Sequence, residues 1–174
     1  MIEGASPADS RLSDRQRVGI MIVDHGSRRA ASNDGLWQVV ELFRKAHGGF
    51  RGVEAAHMEL AEPSIGTAFR RLVEQGAEAV IAHPFFLLPG SHWDQDIPRL
   101  VGEAAAAFPE VPYLVTAPLG SHPLMAQIML DRIEHCWQHA EHQTAACQIC
   151  DHEQRCLWRF GGGESGSPGR TPLA

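Results

Sequence analysis

The segments VGIMIVDHGSR (residues 18–28) and AVIAHPFFLLPGSH (residues 79–92) decide the fold of this chain. Each begins with an apolar run and continues into a short polar stretch that contains a histidine, His25 in the first and His92 in the second. Apolar runs of this length are typical of parallel strands that are buried on both faces of a sheet. In open α/β sheets, the loops after the carboxyl ends of such strands carry the ligand site. We therefore expect both histidines at one functional edge.

Strand-like and helix-like patterns alternate outward from these two segments. Strands are predicted at residues 18–23, 53–60, 79–87 and 112–117. Helices are predicted at about 33–47, 63–76, 96–108 and from about 122 to beyond 133, the first capped by Ser32, Asn33 or Asp34. This alternation predicts an open parallel four-stranded sheet flanked by helices on both faces, with all strand ends on one edge.

The composition is that of a globular protein with one domain and an appendage. The chain has 174 residues, 44% of them apolar and 21% charged, and its net charge of −6 argues against a general nucleic-acid binder. No apolar run is long enough to span a membrane, and the polar lead at residues 1–16 lacks the apolar core of a secretory signal. We expect a cytoplasmic protein without a nucleic-acid or membrane partner, whose α/β domain covers residues 17–140.

His25 and His92 are the first candidates for metal binding, because two imidazoles hold a divalent metal while leaving coordination positions open. Taken alone, His25 is equally well explained as a surface histidine in a glycine turn. Glu59 follows the second strand and is a candidate metal ligand or proton acceptor. Glu59 and Glu62 could instead complement the dipole of the next helix, which is the better explanation for Glu62.

Other polar residues near these segments have simpler explanations. His83 lies inside the third strand, where packing or a hydrogen bond explains it better than metal ligation. Asp94 and Asp96 precede the third helix, and helix capping is their simplest role. His135 and His139 lie one helical turn apart and could bind a metal, although a solvated helix face explains this pair better.

Four pieces of the sequence form a further pattern when taken together and in order: HGSR at 25–28, EL and PSI within 59–65, PFFL through DIP at 84–98, and PLGSHP at 118–123. With these pieces the chain resembles, over about residues 17–135, the class II tetrapyrrole chelatases. These are the sirohydrochlorin ferrochelatases and cobaltochelatases, here in their short single-domain form.

The resemblance implies a chelatase-like, flavodoxin-like fold and the insertion of Fe²⁺ or Co²⁺ into sirohydrochlorin, toward sirohaem or cobalamin. It also implies that His25 and His92 bind the metal, that Glu59 takes part in catalysis, and that the short chain works as a homodimer. Elementary chemistry agrees, since metal insertion releases two pyrrole N–H protons and a histidine or Glu59 can accept them.

The substrate itself suggests a second set of residues. Sirohydrochlorin carries many carboxylates, and hydroxyl or guanidinium groups beside the two histidines could bind them. Ser27, Arg28 and Ser91 are the candidates for this role.

Residues 141–174 form a Cys/His-containing extension that ends in a Gly/Ser/Pro-rich tail, which we expect to be disordered. Four thiolates, those of Cys136, Cys147, Cys150 and Cys156, could hold an iron–sulfur cluster or a structural zinc. Because some short ferrochelatases carry a C-terminal cysteine cluster, the resemblance favours a two-iron, two-sulfur cluster, with Zn²⁺ as the alternative. Unliganded thiols are the third possibility.

Two other functions are alternatives. The first is a non-catalytic metal carrier or sensor with the Cys/His extension as its receptor, but a carrier has no need of the apolar loop at 84–89 beside the histidines. The second is a histidine phosphatase, whose fold also opens with a strand followed by His-Gly. That chemistry uses an arginine before the histidine to bind phosphate, whereas this chain has Asp24, which repels phosphate.

Overall fold

The computed structural model of the chain describes residues 15–88 and 90–142. The chain divides into two compact units, Met1–Ser121 and His122–Ala174. The described part of the first unit contains β1 (Val18–Asp24), α1 (Ala30–Ala46), β2 (Gly52–His57), α2 (Ile65–Glu74), β3 (Ala79–Pro84), α3 (Ile97–Ala105) and β4 (Tyr113–Val115). A 3-10 turn at Arg15–Arg17 precedes β1, and a π-helical turn at His92–Asp96 precedes α3. The second unit contains α4 (Leu124–His142).

The four strands are all parallel and lie in the order β2-β1-β3-β4. The apolar strand β1 is central, and its Ile22 pairs with Ala55 of β2 and His83 of β3. This arrangement confirms the predicted open parallel sheet. It also places the carboxyl ends of β1, β2 and β3 side by side at one edge.

Two apolar clusters, one on each face of the sheet, hold α1, α2 and α3 in place. Met21 and Val23 of β1 pack with α2 and α3, in a cluster that includes the fully buried Phe69 and Leu72. The alternate residues of β1 point to the opposite face, where they pack with Leu36 and Val40 of α1. Each fully buried side chain of this size contributes about 1.5–3 kcal/mol. The prediction of helices on both faces is confirmed.

The start of α1 differs from the prediction. The helix begins at Ala30 rather than at about Asn33, and its N-cap residue Arg29 makes no side-chain cap bond. Asn33 is not a cap because its side chain binds the backbone of Ser27 twice, through Ser27 N to Oδ1 and Nδ2 to Ser27 O, both at 2.9 Å. The first turn of α1 is thereby tied to the loop after β1.

Two strands end earlier than the apolar pattern predicts. β2 ends at His57 instead of residue 60: its pairing with β1 stops at Asp24, the last residue of β1, and Leu60 adopts a left-handed φ of 67° that a strand does not accommodate. β3 ends at Pro84 instead of residue 87, and the following Leu87 and Leu88 are exposed in the loop. Apolar residues therefore continue past the sheet into the loops at its carboxyl edge. β4 at 113–115, α2 at 65–74 and α3 at 97–105 are also shorter than predicted, whereas β1 at 18–24 and α1 at 30–46 are slightly longer.

No helix in the described ranges is long and apolar enough to cross a membrane. Most of the predicted polar lead and C-terminal extension, including the tail from residue 161, lies outside the described residues. Those two segment boundaries stay predictions.

Candidate metal centre

Three loops at the carboxyl edge of the sheet carry the predicted metal-binding residues. His25 comes directly after the last residue of β1, Glu59 comes two residues after β2, and His92 opens the π-helical turn that follows β3. Because β1 lies between β2 and β3, the three loops are neighbours. The sheet order alone therefore brings these side chains together.

His25 and Glu59 form a direct pair. The Nε2 atom of His25 lies 2.9 Å from Oε1 of Glu59, and its Nδ1 atom lies 3.2 Å from the carbonyl oxygen of Gly26. A neutral imidazole has one N–H and can donate to only one of these oxygens, whereas a protonated imidazole donates to both. The side chains of His25 and Glu59 are 40% and 53% exposed, so a bound substrate can reach them.

His92 stands against His25 and is oriented by a carboxylate. The two imidazole rings meet edge to face, with their centroids 5.2 Å apart. Nδ1 of His92 lies 2.8 Å from Oδ2 of Asp96. A carboxylate on one ring nitrogen holds the proton there and leaves the lone pair on the other, which is how metal-binding histidines are commonly oriented. Nε2 of His92 is therefore the atom suited to a metal.

The π-helical turn explains why Asp96 reaches His92. The turn closes with a bond from the backbone N–H of Ile97 to the carbonyl oxygen of His92, and such turns are frequent at functional sites. The predicted capping role of Asp96 is wrong, because Asp96 makes no side-chain cap bond to α3 and its carboxylate binds His92 instead. The four-residue spacing of His92 and Asp96 is the sequence signal that could have revealed this pair.

A further histidine–carboxylate pair, His57 and Asp24, lies beneath the His25–Glu59 pair and was not predicted. His57, the last residue of β2, is fully buried, and its Nδ1 lies 2.6 Å from Oδ1 of Asp24. The same Asp24 oxygen accepts a bond from the backbone N–H of Gly26 at 2.9 Å. The available signal was a histidine inside an apolar strand, opposite an aspartate that ends the neighbouring strand.

The loops after β1 and β2 are in close backbone contact. The N–H of Met58 donates to the carbonyl of Asp24 at 2.8 Å, and the N–H of Glu59 donates to that of His25 at 3.1 Å. Gly26 has a φ of +83°, and a Cβ atom there would lie 2.0 Å from the carbonyl oxygen of Glu59. Only glycine fits this position.

The predicted substrate-binding residues flank the two histidines. Ser27 is half-buried and its Oγ accepts a bond from the N–H of Arg29 at 3.1 Å, while Arg28 and Ser91 are exposed. Their positions beside His25 and His92 are those the sequence gives them, and their binding role stays a prediction.

The simpler interpretation of His83, as a packed and hydrogen-bonded residue, is confirmed, and Glu62 binds the residue that caps the next helix. His83 is half-buried, its Nδ1 lies 2.7 Å from Oγ1 of Thr116, and burial lowers the pKa of its imidazole. Glu62 accepts a 2.8 Å bond from the backbone N–H of Ser64, the N-cap of α2, and this bond is the main cause that lowers the pKa of Glu62. Neither residue belongs to the candidate metal centre.

The C-terminal candidates are described only in part. Cys136 is a half-buried free thiol in α4, and the rings of His135 and His139 lie 4.9 Å apart. The other three cysteines of the predicted cluster, Cys147, Cys150 and Cys156, lie outside the described residues.

Across residues 15–88 and 90–142, no three His, Cys, Asp or Glu side chains are arranged as a ready-made metal-binding group. The centre consists instead of the His25–Glu59 pair beside the His92–Asp96 pair. Ligation of a metal by Nε2 of His25 requires this atom to exchange its contact with Glu59 for the metal.

Comparison with known proteins gives relatives of one kind. The chain is 51% identical over 138 residues to the chloroplastic sirohydrochlorin ferrochelatase of Arabidopsis thaliana, an alignment that covers 79% of this chain and 61% of the relative. It is 28% identical over 137 residues to the sirohydrochlorin cobaltochelatase of Methanopyrus kandleri, covering 67% of this chain and 95% of that protein. The chain thus spans less than two thirds of the plant relative and nearly all of the archaeal one.

The fold has a solved counterpart. The sirohydrochlorin chelatase SirB from Bacillus subtilis subspecies spizizenii, in complex with cobalt, superposes with a TM-score of 0.61 at 29% identity. The match covers 68% of this chain and 50% of that one. The CbiX family model matches residues 19–136, which include every residue of the candidate metal centre. The chain therefore belongs to the CbiX family of class II chelatases.

Proposed function

We propose that this protein inserts Fe²⁺ or Co²⁺ into sirohydrochlorin. The observation that carries the proposal is the meeting of His25, Glu59 and His92 at the carboxyl edge of the sheet, in a chain whose relatives are named sirohydrochlorin chelatases. The His25–Glu59 and His92–Asp96 pairs are open to solvent, which leaves room for a second, large substrate. Imidazole ligands accept both metals, so the donor set alone does not select iron or cobalt.

The two histidines hold the incoming cation in this proposal. Asp96 keeps the proton of His92 on Nδ1, so the Nε2 lone pair faces no competition from a proton on the same atom. His25 contributes Nε2 when this atom leaves Glu59. Neutral imidazoles bind such cations firmly enough to strip water and weakly enough to release them to a macrocycle.

The proton balance assigns a role to Glu59. Insertion of a divalent cation into the tetrapyrrole forms two bonds from the metal to deprotonated pyrrole nitrogens and releases two protons. Glu59, already 2.9 Å from Nε2 of His25, can accept one proton and pass it to solvent, and the imidazole can accept another. Both side chains are partly exposed, so the protons leave without crossing the core.

The carboxylates of sirohydrochlorin need cationic and N–H partners. Ser27 and Arg28 lie in the loop that leads into the amino end of α1, where orphan N–H groups attract anions. Ser91 lies at the amino end of the π-helical turn, next to His92. We assign these three residues to substrate binding because they flank the metal-binding histidines on two neighbouring loops.

Homodimer formation is part of the same proposal. This chain covers only half of the SirB chain that it resembles, so two copies would supply the equivalent of one longer protein. The edge strand β4 also leaves Tyr113 and Leu114 exposed in the first unit.

A C-terminal cofactor and a compartment complete the proposal. The two-iron, two-sulfur cluster on Cys136, Cys147, Cys150 and Cys156, with Zn²⁺ as the alternative, stays a prediction, as does the cytoplasmic location. The Arabidopsis relative is a chloroplast protein by name.

The test is an anaerobic insertion assay with sirohydrochlorin and either Fe²⁺ or Co²⁺, followed by the change in visible absorption. We expect His92→Ala to lower the insertion rate at least 100-fold, since it removes a group that holds the metal at the reaction centre. The matched control is His47→Ala, which removes an exposed histidine at the end of α1 and should leave the rate unchanged.

Full activity in the His92→Ala variant would contradict the proposal. Tight metal binding by the wild-type chain without any acceleration of insertion would instead favour the metal carrier.

A further inference from the structure

We propose that Asp24 and His57 are a positioning pair that holds His25 and Glu59 at the separation that metal transfer requires. The inference rests on the proposed function and adds two residues that touch neither substrate. It follows from three features of the structure: the burial of His57, the double use of one Asp24 oxygen, and the close approach of the two loops.

Packing alone does not account for a histidine at position 57. The side chain is fully buried, and within the described part of the chain its Nε2 atom has no hydrogen-bond partner. A buried polar atom without a partner destabilises a fold. An apolar side chain of similar volume would fill the same space without this penalty. The Nδ1 bond to Asp24 is the feature that only a donor side chain can supply.

Oδ1 of Asp24 joins the two loops through a single atom. It accepts the N–H of Gly26 at 2.9 Å, on one side of His25, and Nδ1–H of His57 at 2.6 Å, at the end of β2. Asp24 also binds the loop after β2 through its backbone carbonyl. His25 is thus held on both sides, and β2 is fixed two residues before Glu59.

Close packing at Gly26 restricts the loops after β1 and β2. The missing side chain of Gly26 lets it approach the backbone of Glu59 and the Cβ atom of His57, which a Cβ at Gly26 would meet at 3.0 Å. When the Asp24–His57 bond is lost, we expect the Gly26 turn and the Glu59 turn to move relative to each other. Displacement of reacting groups by about 1 Å reduces rates by about 100-fold, and loss of groups that orient metal ligands costs about 10- to 100-fold in affinity or activity.

The test compares His57→Leu, which keeps the volume and removes the donor, with His57→Asn, whose side-chain N–H can replace Nδ1–H. We expect His57→Leu to lower kcat/KM for the metal by about 10- to 100-fold and to weaken the binding of Co²⁺ alone by a similar factor. His57→Asn should recover most of both losses. The KM for sirohydrochlorin should change little, because the side chain at position 57 is fully buried and out of reach of that substrate.

A second pair of variants serves if His57→Leu does not fold. Asp24 is 25% exposed, so Asp24→Ala and Asp24→Asn place less strain on the core. The asparagine keeps an oxygen acceptor for both N–H groups, and the alanine does not. We expect Asp24→Asn to retain most of the Co²⁺ affinity and Asp24→Ala to lose about 10- to 100-fold.

Leu72→Ala is the control for a general loss of stability. Leu72 is fully buried in α2 and packs near Gly19 and Gly52, at the opposite edge of the sheet. It should lower the resistance to urea while leaving kcat/KM for the metal unchanged.

Three results would overturn the proposal: unchanged metal parameters in the His57→Leu or Asp24→Ala variant, no recovery in either conservative variant, or an equal loss in Leu72→Ala. The Co²⁺-binding measurement needs no insertion activity. A wild-type chain that inserts no metal would therefore refute the proposed function and still leave the positioning pair tested.

Discussion

Leu60 combines a strained backbone with an exposed apolar side chain beside Glu59. Its φ of 67° is left-handed, a conformation that costs a residue with a Cβ atom about 1–2 kcal/mol. The side chain is 51% exposed, so burial in the core does not compensate for the strain. Strain of this kind is concentrated at functional sites. Under the proposed function, this leucine would contact an apolar face of the tetrapyrrole next to Glu59.

We predict that Leu60→Gly leaves the free energy of unfolding unchanged or raises it by up to about 1 kcal/mol, because relief of strain exceeds the entropy cost of glycine. The KM for sirohydrochlorin should rise about tenfold, since burial of one leucine side chain contributes about 1.5–3 kcal/mol. Urea unfolding and steady-state insertion kinetics measure the two effects.

The matched control is Leu42→Gly. Leu42 is 67% exposed in the interior of α1, where glycine costs about 1 kcal/mol of helix stability. The same chemical change should therefore destabilise the chain at position 42 and leave the KM unaltered. A destabilised Leu60→Gly variant with normal kinetics would show that the strained leucine has only a local packing role.

At the scale of elements, a hydrogen bond to a buried carboxylate links the edge strand β2 to α2. Glu54 is 7% exposed, and its Oε1 accepts a 2.8 Å bond from Nε2 of Gln75, the C-cap residue of α2. Arg44 and Arg71 approach the same carboxylate at 3.9 Å and 3.8 Å. Gln75 reaches Glu54 because Gly52 has no side chain: a Cβ there would lie 1.9 Å from the amide oxygen of Gln75.

We predict that Gly52→Ala destabilises the chain because the added methyl group displaces Gln75 from Glu54. The expected loss is about 1.5–3 kcal/mol, the contribution of a hydrogen bond to a charged group. In a Gln75→Ala background the bond is already absent, so the same substitution should cost less than half as much. The two changes are therefore non-additive in a double-mutant cycle measured by urea unfolding. Additive effects would mean that the destabilisation does not come from Gln75 and instead arises where the added Cβ atom lies 3.1 Å from Cδ2 of Leu72.

The elements also show what could be predicted from the sequence. The parallel sheet and the meeting of His25 with His92 were predictable, because apolar strands separated by helices have few alternative topologies. The pairing of Asp96 with His92 was missed, because an aspartate before a helix also fits a capping role and only its four-residue spacing from His92 favours the pair. The overextended β2 has a similar cause: apolar residues continue through Leu60, and only the fold reveals the left-handed turn.

At the scale of the whole molecule, the two edges of the sheet have different roles. The carboxyl edge carries the His25–Glu59 and His92–Asp96 pairs. At the amino edge, Arg17 and Glu78 form an ion pair before β1 and β3, and the bond from Arg17 is the main cause that lowers the pKa of Glu78. The apolar clusters on the two faces lie between these edges. Substitutions at the amino edge and in the apolar clusters, such as Leu72→Ala, should therefore change stability without changing insertion kinetics.

The stability of the chain should fall as the pH is lowered, because the lowered pKa values of His83, Glu62 and Glu78 all act in this direction. Burial holds the pKa of His83 below its ordinary value of 6.5, so the unfolded chain binds a proton near that pH before the folded chain does. The backbone bond from Ser64 lowers the pKa of Glu62 below 4.5. The ionised carboxylate of Glu62 therefore stabilises the fold above about pH 4.5, and this stabilisation, which solvent screening keeps small, is lost in acid.

His83→Gln should remove the part of this loss of stability that occurs near pH 6.5. Glutamine can still bond to Thr116 but does not titrate, so the free energy of unfolding of the wild type, relative to the variant, should decrease as the pH falls from about 7.5 to 5.5. Urea unfolding of both chains at a series of pH values measures this difference. Parallel stability curves would mean that His83 takes up its proton equally in the folded and unfolded states, and the burial of its ring would then have no consequence for the acid sensitivity of the fold.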